Sequence, residues 1–224
     1  VPSNFMFWFI MGLNVIVFGM WQLAISQAEQ GDPTLFFLMF KNFTSGLSNF
    51  FEGRYWTLLT ACFSHKDYAH MFVNMLTYFF FGRTILNLVG GRSFLFFYFA
   101  AGLASSSLSL FSDFLGHDAS RPKEGQQKKP QFSLGASGSI IAIVTCFSSI
   151  KPRATFLFYF ILPVQARLLI PALLLYDLWG MFGTEPHKTL WDKNTFVDSA
   201  GHVGGIIAGR LYWIFKLKRF RVMW

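Results

Sequence analysis

Charge is what this chain has least of. Only 13% of its 224 residues are charged, where a soluble domain carries about a quarter. That shortage argues against a water-soluble domain. Cysteine is almost missing as well: the 2 present, Cys62 and Cys146, fall in or beside apolar segments, so no disulfide framework is implied. Acidic residues number 11 against 19 basic ones, a net charge of +8. In a soluble protein that excess would suggest nucleic acid. Here its place in the loops explains it, and no nucleic-acid partner is expected. No internal repeat is present, and no cofactor or metal is expected. The chain opens on Val1 and not on Met, as expected of a chain whose leader has been removed.

Apolar side chains fill the room that charge leaves. Hydrophobic residues make up 53% of the sequence and aromatic residues 20%, with 30 Phe. They gather into blocks at 5–28, 68–88, 93–112, 134–150, 155–182 and 199–217. Each is near the roughly 20 residues that cross a bilayer. The expected fold is all-α: one membrane domain over 1–224, a polytopic bundle of six transmembrane helices embedded in the lipid bilayer. Between the first two blocks runs a mixed segment, 30–66. Its apolar runs at 34–40 and 56–63 are too short to span, and read as short helices in a partly submerged first loop. Six spans put both termini on one side. That side holds Arg83, Arg92, Lys151, Arg153, Lys216, Lys218, Arg219 and Arg221 and no acidic residue, while the other side mixes both signs. The asymmetry fits the positive-inside pattern.

At the start of the fourth block, Gly135-Ala136-Ser137-Gly138 sets a serine between glycines at the mouth of an apolar helix. A helix start offers free N–H groups and the positive end of a dipole. That suits a serine which must attack a carbonyl and hold the resulting oxyanion. The same tetrapeptide also describes a small-residue patch for helix packing, and alone it reads more readily that way. A nucleophile needs a base. His117 and His187 lie in polar loops and read as solvated. His202 lies just inside the sixth block, which starts on the same side as the fourth, so Ser137 and His202 share a depth. Gly201, Gly205 and Gly209 recur every four residues, a flat stripe for close helix packing, and Gly138 with Ala142 offers a matching pair. Helices touching there would bring Ser137 and His202 to hydrogen-bond distance. A packed histidine bonded to another helix is the alternative.

His70 and Asn74 stand one helical turn apart at the same depth on the second span. They could donate to an oxyanion or simply join two helices. Asp198, one turn before His202, could orient the imidazole but reads better as a helix cap. Arg167, Asp177 and Arg210 are charges near span ends. They read as paired or snorkelling groups and receive no catalytic role.

Taken together, Gly135-Ala136-Ser137-Gly138, His70-xxx-Asn74 and His202-xx-Gly205-xxx-Gly209 resemble the rhomboid family of intramembrane serine proteases. The order and the six spans match over nearly the whole chain. The resemblance implies a Ser–His dyad with Ser137 as nucleophile and His202 as general base. It implies that Asn74 and His70 stabilise the oxyanion, and that Gly135, Gly138, Gly201, Gly205 and Gly209 pack the helices at the site. His65 and Trp56 match further family positions in the first loop. Thr57 stands where many members have arginine, and Ile141 where many bacterial members have tyrosine. The stretches 133–138 and 196–202 are closer to mitochondrial-type, presenilin-associated rhomboid-like members. That implies a multi-pass protein of the mitochondrial inner membrane.

The expected function is therefore endoproteolysis in or near the transmembrane segments of membrane-protein substrates. The alternatives are a non-proteolytic rhomboid-like protein that binds or helps translocate membrane clients, and a transporter. The site is expected to open as a water-filled cavity on the mixed-charge side. The fifth span, with Pro163 and Pro171, is the candidate for lateral substrate access.

Overall fold

The structure, a computed structural model, describes residues 3–116, 132–158, 162–182 and 197–218. His117, His187, the basic stretch 121–129, and Arg219 and Arg221 lie outside the described residues. Helix α1 (Ser3–Glu29), α5 (Tyr68–Val89) and α6 (Gly91–Leu115) are each long and apolar enough to cross a membrane. Their outer faces carry Trp8, Ile16, Phe72, Phe80, Phe96 and Phe111, all exposed. Water would not tolerate so continuous an apolar surface, and lipid tails would. The polar side chains instead point inward: Asn14, Asn74, Ser105, Ser139 and Asp177 are buried. The chain is an all-α polytopic membrane protein.

Lipid is as apolar as leucine, so burying hydrocarbon does little to hold such helices together. Close packing and interhelical hydrogen bonds do more. Tyr78 on α5 donates to the carbonyl of Phe7 on α1 at 3.2 Å. Gly90, with φ of +80°, ends α5 and turns the chain straight into α6, a conformation glycine adopts without strain.

The mixed segment holds α2 (Thr34–Phe43), α3 (Leu47–Phe51), α4 (Thr57–Thr60) and a 3-10 turn, Ala61–Phe63. The runs expected to be helical are α2 and the pair formed by α4 with its 3-10 turn. Helix α3 was not anticipated. It is held by buried Asn49, whose amide donates to the Thr44 carbonyl at 2.7 Å and accepts from Arg54 Nε at 3.1 Å.

Three shorter helices complete the bundle: α7 (Ser137–Ile150), α8 (Ala166–Phe182) and α9 (Ser199–Tyr212), the last continuing as a π turn over Trp213–Leu217. Helix α9 lies between α6 and α7, while α8 packs on α9 and α7. With 14 residues, α7 rises about 21 Å against a hydrocarbon core of about 30 Å. It is therefore too short to cross that core unaided.

The fifth block needs correction. It is not helical from 155. Thr155–Phe158 (β1) and Leu162–Gln165 (β2) form an antiparallel pair, with Thr155 opposite Gln165 and Leu157 opposite Pro163. The ladder extends through Ala166 N–H to the Ala154 carbonyl at 2.8 Å, and only then does α8 begin. Pro163 has no N–H to give a helix and biases Leu162 toward extended backbone. Threonine and phenylalanine favour a strand in the partner segment. Pro171 remains inside α8.

Candidate active site

Five segments supply the site, and each is placed by its own local chemistry. Asp67 starts α5 by accepting the backbone N–H of His70 at 2.9 Å. Asp198 starts α9 by accepting the N–H of Gly201 at 2.8 Å. Helix α7 differs: Ala136 stands at its cap and no side chain fills that role. Its first N–H groups are thus left facing the site beside Ser137.

The chain entering α7 is tied down by the first loop. Ser45 and Ser133 exchange backbone hydrogen bonds of 2.8 and 2.7 Å. Gly135 donates to the Ala61 carbonyl at 2.9 Å, and the N–H of Ala136 meets His65 Nε2 at 3.4 Å. An imidazolium could not accept that bond. Burial, reinforced by neighbouring His70, pushes His65 down to about 3, so it stays neutral and can accept. Gly135 has φ of +132°, and a Cβ there would lie 2.9 Å from His70 Cε1 and 3.8 Å from Ser137 Oγ. Only glycine fits both the backbone and the space. Gly135 therefore acts in the loop against His70, and not in a helix–helix contact as expected.

Ser137 Oγ and His202 Nε2 stand 3.1 Å apart. Backbone contact sets that distance. A Cβ on Gly205 would overlap the Gly138 carbonyl oxygen, and one on Gly209 would overlap the Ala142 carbonyl oxygen. So Gly205 and Gly209 lie directly on α7, as the stripe suggested. Gly201 joins that contact through its carbonyl oxygen, 3.5 Å from where a Cβ on Gly138 would lie, while its own missing side chain serves another purpose. A Cβ on Gly201 would run into the carboxylate of its own cap, Asp198. Gly138 also lies against Ser105 of α6, and Gly204, which the sequence reading passed over, lies 2.9 Å from the Ala104 carbonyl by the same measure. Helix α9 is thus wedged by glycines on two sides. The Cys146 thiol adds a bond to the Gly209 carbonyl at 3.0 Å.

Asn74 is buried on α5, and its Nδ2 donates to the His70 carbonyl at 3.1 Å, which leaves one amide N–H of its two. The His70 ring packs edge-on to His65, with centroids 4.9 Å apart. Asp198 bonds Gly201 N–H and the Ser133 hydroxyl, both cap and loop partners. Trp56 donates to Asn42 Oδ1 at 3.2 Å, inside the first loop. Thr57 is buried and donates to the Arg54 carbonyl at 2.7 Å.

The sequence reading missed one residue here. Asp177, on α8, is fully buried, and its Oδ1 lies 3.1 Å from His202 Nδ1. The signal was available: a lone carboxylate in an apolar span, five residues before the end of α8. Because α8 runs opposite to α9, that position has the same depth as the fourth residue past the cap of α9, His202.

Comparison with known proteins adds a second line. A Rhomboid domain matches residues 52–219. RHOMBOID-like protein 12, mitochondrial, of Arabidopsis thaliana is 31% identical over 93% of this chain and 57% of its own length. Rhomboid protein 1, mitochondrial, of Saccharomyces cerevisiae is 29% identical over 94% of this chain and 53% of its length. Rhomboid-like protein 16, chloroplastic, of Arabidopsis thaliana is 31% identical over 89% of this chain and 58% of its length. The chain spans little more than half the length of these relatives.

Proposed function

Since this chain belongs to the rhomboid family, we propose that it is an intramembrane serine endopeptidase acting on membrane-protein substrates. The observation that carries the reading is the 3.1 Å approach of Ser137 Oγ to His202 Nε2 at the uncapped start of α7. Ser137 Oγ attacks a peptide carbonyl while His202 Nε2 takes its proton. The oxyanion is held by the free N–H groups at the start of α7 and by Asn74, with His70 beside them. The C–N bond then breaks and Nε2 gives its proton to the leaving amine. Water adds to the acyl group, passes a proton through Nε2 and returns Ser137 to its hydroxyl.

A transmembrane helix hides its carbonyls in hydrogen bonds. The substrates are therefore those whose helix is weakened near the cut by glycine, proline or β-branched residues. The mitochondrial names of two relatives support placement in a mitochondrial membrane.

The test is cleavage of a model transmembrane substrate in proteoliposomes. Wild type should cut it, while Ser137→Ala and His202→Ala should lose at least about a thousandfold in kcat/KM. Equal cleavage by Ser137→Ala would end the protease reading, and a wild type that cuts nothing and resists fluorophosphonate labelling would point to a non-proteolytic client-binding role.

A further inference from the structure

We infer that Asp177 is a positioning residue for His202, so that the reacting group is a Ser137–His202–Asp177 relay in place of the bare dyad the family resemblance implies. This rests on the protease reading above. Three observations point to it. Asp177 Oδ1 is 3.1 Å from His202 Nδ1, while Ser137 Oγ is 3.1 Å from Nε2, so the imidazole is held at both nitrogens. Asp177 is fully buried, and its other oxygen, Oδ2, has no hydrogen-bond partner among the described residues. The nearer acid along the chain, Asp198, already holds Gly201 N–H and the Ser133 hydroxyl.

An ionised carboxylate only accepts hydrogen bonds, so opposite Asp177 the neutral imidazole must carry its proton on Nδ1. Nε2 is then the bare nitrogen that faces Ser137, the tautomer a general base needs. A half-satisfied carboxylate in this interior is costly in the resting state. The cost is offset when Nε2 takes the serine proton and an imidazolium forms beside it. Asp177 thus favours the transition state over the ground state, which is the condition for raising kcat. No proton moves to Asp177, since the Nδ1–H bond stays intact throughout. Among the described residues, the other ionisable groups close enough to act on His202 are Asp198, at the cap of its own helix, and His70, on α5.

The full chain in proteoliposomes provides the test, with Asp177→Asn and Asp177→Glu set against wild type, Ser137→Ala and His202→Ala. Asp177→Asn should lower kcat by about a hundredfold or more while KM changes by less than about threefold. Asp177→Glu should recover at least about a tenth of the lost rate. A carboxylate that only packs would move stability and KM instead. If Ser137→Ala and His202→Ala are inactive but Asp177→Asn turns over at the wild-type rate, this inference fails and the protease reading stands. If Ser137→Ala still cuts, the protease reading itself fails. Should Asp177→Asn not fold, the wild-type protein decides. Histidine-selective 15N spectra should show His202 as the Nδ1–H tautomer, assigned by its loss in His202→Asn, and an Nε2–H tautomer would overturn the proposal.

Discussion

Asn74 shows how one side chain divides its work. One amide N–H is spent on its own helix, at the His70 carbonyl, and the proposed mechanism assigns the other to the developing oxyanion. Asn74→Ala should accordingly lower kcat by about tenfold to a thousandfold and leave KM nearly unchanged. Steady-state cleavage by a folded variant checks this, and unchanged turnover would reduce Asn74 to an interhelical spacer. At this scale the sequence was informative where residue type and depth sufficed. Ser137 and His202 follow the starts of two helices that enter from the same side, and depth alone paired them. Asp177 escaped because its partner lies 25 positions away on an oppositely running helix. A charge near a span end has a simpler reading as a snorkelling group. Gly135 was read as a helix-packing glycine, because its actual neighbour, the His70 ring, depends on how the first loop folds.

Among the elements, α9 is the one whose packing is least tolerant. Its glycines bring its backbone onto α7 at Gly138 and Ala142 and onto α6 at Ala104. Backbone atoms cannot rotate away as side chains do, so even a methyl group must push the helices apart. Gly205→Ala should cost about 1–3 kcal/mol of stability and widen the gap between Ser137 and His202. Gly19→Ala on α1, where a new Cβ would meet nothing within 4 Å, is the control and should be neutral or mildly stabilising. Thermal unfolding in detergent together with cleavage rate tests the pair. Equal melting temperatures and rates would mean that the stripe is not a constraint. The stripe was readable from its spacing of four, but Gly204 was not, because the two-sided contact breaks that spacing. The hairpin before α8 was hidden for a related reason. An apolar run of 155–165 reads alike as span or strand, and only the pairing of Thr155 with Gln165 decides.

On the scale of the whole molecule, α5, α7 and α9 begin, and α8 ends, at one end of the bundle, and every polar group of the site lies there. On the proposed mechanism, water for deacylation must come from that end, since backbone not in helix or sheet cannot face lipid. The even number of apolar blocks made the shared end readable in advance, while the first loop that straps the site could be seen only as a submerged segment. In sealed membrane vesicles carrying the protein without Cys62 and Cys146, Ser137→Cys should react with an impermeant maleimide from the face opposite the chain termini only. Protease protection of terminal tags defines that face, and labelling solely from the terminus face would overturn the topology. Helix α8 has a further bearing on substrate entry under the proposed mechanism. It was the expected path for substrate, yet it carries the carboxylate that holds His202. Any outward swing of α8 withdraws Asp177 from the ring. Under the proposed Ser137–His202–Asp177 relay, opening at this seam would disarm the site and closing it would arm it again. A helix that only probes the gap would then leave uncut, and time spent in the closed bundle would weigh in what is cleaved.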